Sequence, residues 1–246
     1  MEIKRSSPMF YPVNYAVSPE SKEIQKHNWG VINLLSEKCV SPMYLRLSAA
    51  FIYPEMHQPE HEHPGEDELL YIISGKGNYY VCNNKFKVSA KNLVYIPAGI
   101  PHYTDNDGWE PLRYLSIKYP LNNEIDQELK KKLDKQINYV IPSEEIPVED
   151  YSWGAQKSVN NLDEPPLNMK VEIFYLLPKM KQQLYCHDSE VELVYVLSGK
   201  GAYMINGDEY KIEGGMLMYI PAKEEHYAIN RGWESLKLIT VKVPAV

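Results

Sequence analysis

The feature that most restricts the fold of this 246-residue chain is an internal repeat at an offset of 124 residues. Aligning residues 56–118 with residues 180–242 without a gap gives 26 identities in 63 positions. Repeats of solenoid proteins span only about 20 to 50 residues, so each copy here is predicted to be a whole domain. The recurring motifs are Trp29-Gly30 and Trp153-Gly154, Ser74–Gly77 and Ser198–Gly201, Tyr95–Ala98 and Tyr219–Ala222, and Gly108–Glu110 and Gly232–Glu234.

Each copy consists of short apolar runs separated by turn residues. Leu69–Ile73 ends at a Ser-Gly-Lys-Gly turn, and Leu93–Ile96 ends at a proline, which lacks the N–H that a strand ladder needs. Arg113–Tyr119 closes the first copy, as Leu236–Val243 closes the second, and Asn83-Asn84 is predicted to be a hairpin turn. Regularly spaced short strands of this kind indicate an all-β sandwich or barrel.

One segment between the copies has a different pattern. In Asn123–Gln136, apolar residues recur every fourth position on a charged background, which predicts a short exposed helix linking the copies. We therefore predict an N-terminal domain of residues 1–137 that ends in this helix, and a C-terminal domain of residues 138–246. Asn138–Asp150 is expected to be the entry strand and loop of the second domain.

Composition excludes several classes of protein. The chain is 44% hydrophobic and 24% charged, so each copy can bury a core, and its net charge of -7 argues against a nucleic-acid-binding face. Three cysteines without CxxC spacing predict neither a disulfide framework nor a zinc knuckle. Since no apolar stretch follows the charged N-terminus and no run is long enough to span a membrane, we expect a cytoplasmic protein without a membrane partner.

The first copy carries two histidine motifs. His61 and His63 are followed after four residues by Glu68, and Pro97-Ala98-Gly99 is followed after two residues by His102. These motifs resemble those of the cupin family, HxH–x4–E–x6–G and PxG–x2–H–x3–N, and the resemblance covers nearly the whole chain, twice. It implies two tandem double-stranded β-helix barrels of the jelly-roll type. It also implies that His61, His63, Glu68 and His102 bind one divalent metal in the N-terminal barrel.

Physical chemistry supports this ligand set. Residues i and i+2 of a strand face the same side, so His61 and His63 are expected to point inward together. Three imidazoles and a carboxylate suit Mn, Fe, Co, Ni or Zn, and they leave two positions of an octahedral ion open, whereas a tetrahedral zinc site would be closed. Glu55 and Lys91 replace glycines that are frequent in the family, and both are expected to lie in turns.

The second copy has a degenerate form of the motif. Its matching residues are Tyr185, His187, Glu192 and His226, with a phenol in place of one imidazole. A neutral phenol is a poor metal ligand near its ordinary pKa of about 10. Two interpretations therefore stay open: a second metal bound by two histidines and a glutamate, or a hydrogen-bonded cluster in a structural barrel. Cys186 should face away from this pocket. The paired Trp109 and Trp233 are expected to pack in the barrel walls.

The resemblance leaves the reaction open, since cupins include isomerases, lyases, hydrolases and dioxygenases. We expect a metal-dependent enzyme acting on a small polar metabolite, with a general acid or base among Glu55, His57, Glu66 and Tyr103. His57 shares the inward parity of His61 and is expected at the rim of the site. A non-catalytic binding or sensor bicupin is the alternative. The architecture is also similar to that of ureidoglycine aminohydrolases, manganese bicupins whose working metal lies in the C-terminal barrel. A homodimer is compatible with this organisation.

Overall fold

The computed structural model of the chain describes residues 16–17, 23–35, 45–82, 84–120, 140–159 and 169–245. Within these residues the secondary structure is built from β-strands, so the predicted all-β class is confirmed. The predicted helix Asn123–Gln136 and the predicted boundary between residues 137 and 138 lie outside the described residues. No helix in the described ranges has the length and apolar character needed to cross a bilayer.

The strands are numbered in chain order. The first eleven are β1 Ala16–Val17, β2 Ile24–His27, β3 Gly30–Leu34, β4 Arg46–Ile52, β5 Met56–His57, β6 Glu66–Ser74, β7 Lys76–Val81, β8 Asn84–Ser89, β9 Asn92–Ile96, β10 His102–Asn106 and β11 Leu112–Pro120. The remainder are β12 Val140–Pro142, β13 Val148–Tyr151, β14 Gly154–Ser158, β15 Lys170–Leu176, β16 Glu190–Ser198, β17 Lys200–Ile205, β18 Asp208–Glu213, β19 Leu217–Ile220, β20 His226–Asn230 and β21 Leu236–Pro244.

Each barrel pairs a large sheet with a small one. The first barrel has a seven-stranded sheet of order β12-β9-β6-β11-β4-β3-β2 and a four-stranded sheet of order β5-β10-β7-β8. The second has a seven-stranded sheet of order β1-β19-β16-β21-β15-β14-β13 and a three-stranded sheet of order β18-β17-β20. The described pairings are antiparallel, which is typical of a double-stranded β-helix.

The apolar runs at the centre of each large sheet are buried on both faces. Along β6, Leu70 and Ile72 point into the first barrel, whereas Leu69 and Tyr71 point out of it. The outward residues join the core between the two barrels, together with residues such as Leu193 of β16. The sequences of these strands are therefore continuously hydrophobic, without the alternation of apolar and polar residues that a strand with one exposed face has. The barrels pack through the outer faces of their large sheets.

A short strand from each half completes the large sheet of the other half. Val140 of β12 pairs with Val94 of the first barrel, and Ala16 of β1 pairs with Met218 of the second. The two pairings are related by the 124-residue repeat. The expectation for Asn138–Asp150 was therefore wrong at its beginning, because β12 joins the first barrel and only β13 joins the second. Local sequence patterns cannot tell which open sheet edge a short apolar strand will join.

The predicted turns are largely confirmed. Glu55 and Lys91 have φ angles of 59° and 73°, the left-handed conformation that glycine adopts most easily. The hairpin between β7 and β8 begins at Cys82, one residue earlier than predicted, because Val81 pairs directly with Asn84. Cys82 has a φ of 47°, as a two-residue hairpin turn with positive φ requires.

The prediction that Trp109 and Trp233 pack in the barrel walls was wrong. Their exposed fractions are 87% and 86%, because both lie in the loops that join the small sheet to the closing strand. The buried tryptophans are Trp29 and Trp153, which begin the other recurring motif. A tryptophan in a repeated motif is thus not by itself a core residue.

Candidate metal centre

Three histidines from two segments of the first barrel meet in its interior. His61 and His63 lie between β5 and β6, and His102 is the first residue of β10. Two backbone hydrogen bonds of 3.0 and 2.9 Å join His61 and His102, and the Gly99 N–H donates to the His63 carbonyl at 2.9 Å. His61 forms an isolated β-bridge with His102, so the His61–His63 segment is not the regular strand that the expected inward orientation of both histidines assumed. Its two imidazoles nevertheless converge, with ring centroids 5.1 Å apart.

Backbone carbonyls orient two of these imidazoles. The Nδ1 atom of His102 lies 2.7 Å from the Ile100 carbonyl, and that of His61 lies 2.9 Å from the Pro59 carbonyl. Because a carbonyl only accepts hydrogen bonds, each Nδ1 carries a proton, which leaves Nε2 as the nitrogen that can bind a metal. Burial and, to a smaller extent, the neighbouring His102 lower the pKa of His61 to about 4. His61 is therefore neutral at pH 7, as a metal ligand must be.

Glu68 faces the histidines from β6. Its side chain is buried, and the Ser116 hydroxyl donates a hydrogen bond to its Oε1 atom. Burial alone would raise the pKa of Glu68, but the imidazoles of His102 and His63 and the ammonium of Lys118 hold it well below its ordinary value. The residue is thus a carboxylate at pH 7. Its Oε2 atom lies 3.1 Å from His102 Nε2 and 3.5 Å from His63 Nε2.

The three facing atoms fit a cation. In the described part of the chain, His63 Nε2, His102 Nε2 and Glu68 Oε2 are buried and have no hydrogen-bond partner. The His102 Nε2 atom and the carboxylate oxygen are only 3.1 Å apart, so a positive charge, either a proton on the imidazole or a metal cation, must lie between them. Two ligands each about 2.1 Å from one ion are about 3.0 Å apart at a right angle and about 3.4 Å apart at a tetrahedral angle. The observed separations match this range, and nitrogens of His61, His63 and His102 all lie within 4.8 Å of one another.

Buried polar residues that sequence reasoning missed lie behind the histidines. The Tyr114 hydroxyl donates to Gln58 Oε1 at 2.8 Å, and the Tyr79 ring stacks on His102 with centroids 6.1 Å apart. Burial raises the pKa of Tyr79 and of Tyr114, so both phenols stay neutral. The internal repeat could have identified Gln58 and Tyr79, because both residues are identical in the second copy, where they are Gln182 and Tyr203.

Of the four expected general acids or bases, Tyr103, His57 and Glu55 do not face the histidines, and Glu66 is already held in an ion pair. Tyr103 lies on the outer face of β10 and stacks on Tyr80, with centroids 4.3 Å apart. His57 is paired with Asp105, which also faces outward, so its expected inward position was wrong. Glu55 is exposed in a turn, and Glu66 forms an ion pair with Arg46 at the end of β6.

Asn106, which matches the asparagine that closes the second family motif, has a structural role. Its Nδ2 atom donates to the carbonyls of Ile52, Tyr53 and Glu110 at 2.9–3.1 Å, and its Oδ1 accepts from the Gly108 N–H at 3.1 Å. The side chain therefore ties the end of β10 to the loop that follows.

The matching residues of the second barrel form a closed hydrogen-bonded cluster. Glu192 Oε2 lies within hydrogen-bond distance of His226 Nε2, at 2.8 Å, and of His187 Nε2, at 3.2 Å, and the Nδ1 atom of His226 lies 2.7 Å from the Glu224 carbonyl. Burial opposes ionisation of Glu192, but the two histidines and Lys242 lower its pKa to about 2. The Tyr185 hydroxyl is 2.9 Å from the Tyr203 hydroxyl, and burial raises its pKa well above the ordinary value. The ligand atoms of His187, Glu192 and His226 all lie within 4.8 Å of one another, so this cluster also has the arrangement that a metal ion needs.

Comparison with known proteins decides the family. The cupin domain matches residues 52–118 and, a second time, residues 173–242, together more than half of the chain. The chain belongs to the cupin family. Since the domain occurs twice in tandem, the protein is a bicupin, as the sequence motifs predicted.

Solved structures of oxalate decarboxylases share the fold of this bicupin. One matches with a TM-score of 0.80 and 15% identity, covering 96% of this chain and 78% of the other. The Bacillus subtilis enzyme at pH 4.6 matches at 0.78 and 16%, covering 96% and 77%. The formate complex of the Lactobacillus farciminis enzyme matches at 0.76 and 15%, covering 95% and 87%. At such low identity these likenesses show the fold alone.

A sequence relative covers a smaller part of the bicupin. An uncharacterized protein of Methanocaldococcus jannaschii is 36% identical over 69 residues, which are 28% of this chain and 55% of that protein. The chain thus spans about half the length of the curated relative that it matches.

Proposed function

We propose that this bicupin is a metal-dependent enzyme that acts on a small polar metabolite in its N-terminal barrel. His61, His63, Glu68 and His102 would hold one divalent transition metal, of the group Mn, Fe, Co, Ni and Zn. The observation that carries the proposal is the convergence of three buried, unpaired atoms, namely the Nε2 atoms of His63 and His102 and Oε2 of Glu68. A cation satisfies all three at once.

The protein's own residues prepare the site for binding and reaction. The carbonyls of Pro59 and Ile100 fix the ring orientation of His61 and His102, and Ser116 holds the Glu68 carboxylate. A bound ion would supply Lewis acidity toward a substrate oxygen. Four protein ligands leave two positions of an octahedral ion for that substrate or for water. Since the His63 side chain is partly exposed, a small metabolite can reach the ligands from that side.

The structural neighbours support one reaction class as the first to assay. They are oxalate decarboxylases, whose name describes the loss of CO2 from a small acid. We therefore place decarboxylation before isomerisation, hydrolysis and dioxygenation among the reactions to be tested. An identity of 15–16% leaves the substrate of this chain open.

The closed cluster of the second barrel favours a non-catalytic role for that half. Glu192 already binds both imidazoles, so a metal would have to displace two hydrogen bonds. This observation argues against a ureidoglycine aminohydrolase, in which the C-terminal barrel would hold the working metal. It leaves a binding or sensor function as the alternative for the whole chain. A cytoplasmic location and a homodimer stay predictions.

Metal analysis of purified protein and of two matched variants tests the proposal. We expect about one equivalent of transition metal in the wild type, its loss in His102→Ala, and its retention in His226→Ala, the same change in the other barrel. The rate of CO2 release from a panel of small acids should decrease in the variant that has lost the metal. Protein without stoichiometric metal, or a His102→Ala variant that keeps it, would contradict the proposal.

A further inference from the structure

A lysine lies beside the proposed metal ligands. Lys118 is on β11, and its Nζ atom is 3.7 Å from Glu68 Oε1, the carboxylate oxygen opposite to the one that faces the histidines. That separation is too long for a strong hydrogen bond, and Oε1 already accepts from Ser116. The Lys118 side chain is 20% exposed, so solvent and small solutes reach it. Glu68 is the one acid within ion-pair distance of this lysine in the described part of the chain.

The second barrel has the same lysine in a different charge environment. Lys242 matches Lys118, and its ammonium lies 2.5 Å from Glu172 Oε2. The first-barrel residue that matches Glu172 is Ser48. Ser48 pairs across the sheet with Ser116 and therefore shares its inward face. A carboxylate at this position can thus reach the lysine, and the first barrel lacks that carboxylate.

The next charged pair along the large sheet is equivalent in the two barrels. Arg46 pairs with Glu66 in the first barrel, and Lys170 pairs with Glu190 at 2.7 Å in the second. These pairs cancel, so the surroundings of the two lysines on the large sheets differ by the Glu172 carboxylate. With neutral imidazoles, Glu68 and Lys118 of the first barrel balance each other. A divalent ion would then leave a net charge of about +2, which an anionic ligand neutralises best.

We propose that Lys118 anchors a carboxylate of the substrate, so that the N-terminal barrel takes small carboxylic acids that contact both the metal and this ammonium. The inference rests on the proposed function, since it assumes a metal held by the histidines and Glu68. An ammonium has three donors, and the contact with Glu68 leaves others for a ligand. In the second barrel the corresponding Lys242 already forms an ion pair with Glu172, so that barrel should not bind carboxylate ligands preferentially.

Calorimetric titration of the metal-loaded protein tests the proposal with two probes of similar size, oxalate and the neutral oxamide. Lys118→Met should raise the dissociation constant for oxalate about tenfold to a hundredfold, as expected for loss of a charge-assisted hydrogen bond, with little effect on oxamide. Lys118→Arg should restore most of the affinity. Ser48→Glu should also weaken oxalate binding, because it supplies Lys118 with the partner that Lys242 has. Lys242→Met is the matched control and should leave oxalate binding unchanged.

Metal content, measured on the same samples, separates the two proposals. Wild-type protein without metal in the first barrel would contradict the proposed function itself. Metal-loaded Lys118→Met and Ser48→Glu variants that bind oxalate as tightly as the wild type would overturn the role of Lys118. An equal loss of oxalate and oxamide in both variants would overturn it too, because an ion pair that only supports the structure does not discriminate between charged and neutral ligands.

Discussion

Replacing Ser116 by alanine probes how the buried Glu68 carboxylate is held. The Ser116 hydroxyl is the hydrogen-bond donor to Glu68 Oε1 in the described part of the chain, and the Lys118 ammonium at 3.7 Å is too far away to replace it. A hydrogen bond to a charged group contributes about 1.5 to 3 kcal/mol to stability. In a protein of this size, 1 kcal/mol corresponds to about 2–4 °C in Tm. We therefore expect the Tm of the variant to fall by about 3–12 °C.

The matched position in the second barrel provides a control. Thr240 corresponds to Ser116, but its hydroxyl is buried without a hydrogen-bond partner in the described residues. Replacing it with valine keeps the shape and removes an unsatisfied polar group, so Thr240→Val should leave Tm unchanged or raise it slightly. Both variants should be melted in the presence of a chelator, so that metal binding does not contribute to the difference.

A second measurement on the same variants concerns metal affinity. Because Ser116 orients Glu68, Ser116→Ala should weaken metal binding by about tenfold to a hundredfold, whereas Thr240→Val should not. A Ser116→Ala protein with the Tm of the wild type would refute the reasoning, since it would mean that the carboxylate does not depend on this hydroxyl.

Three further outcomes are expected. A Cβ atom on Gly30 would lie 2.1 Å from a backbone carbonyl of the adjacent strand, so Gly30→Ala should lower stability in urea by about 1–3 kcal/mol, while the uncrowded Gly214→Ala should not. The pKa of Glu192 is about 2 in the folded protein, below its ordinary 4.5, so its ionised form adds stability above pH 4.5 that is lost as pH falls toward 2. Glu192→Gln should therefore flatten the acid limb of a Tm-versus-pH curve, and an unchanged limb would exclude this residue as its cause. Trp233 lies under a lysine ammonium 4.1 Å from its ring centroid, whereas no such contact is described for Trp109, so Trp233→Ala should cost about 0.5–1 kcal/mol and Trp109→Ala less, as measured by thermal melts.

Sequence reasoning worked best where side-chain chemistry and spacing carry the information. The repeat, the alternation of short strands and turns, and the family motifs predicted an all-β bicupin, and the fold and the family match confirm this. The motifs also selected the histidines and Glu68, which the structure brings together inside the first barrel. The roles of these residues as metal ligands stay predictions until metal is measured.

The same reasoning failed where the answer depends on which surface another element covers. The expected wall residue Trp109 is exposed, and the expected rim residue His57 faces outward. In neither case does the local sequence determine which face of the segment is buried in the barrel. The exchange of β1 and β12 between the large sheets is a further example, because any open edge of suitable length accepts a short apolar strand.

The sequence by itself determines which potential metal ligands each barrel contains. The first barrel has three imidazoles and one carboxylate, and the second has the same set with tyrosine in place of one histidine. Only the folded barrels decide which of those donors stay unpaired. In the second barrel Glu192 Oε2 lies 2.8 and 3.2 Å from the nitrogens of His226 and His187, whereas in the first Glu68 Oε2 lies 3.1 and 3.5 Å from those of His102 and His63. The physical reason is that pairing depends on separations of a few tenths of an ångström, which packing sets and which motif spacing does not encode.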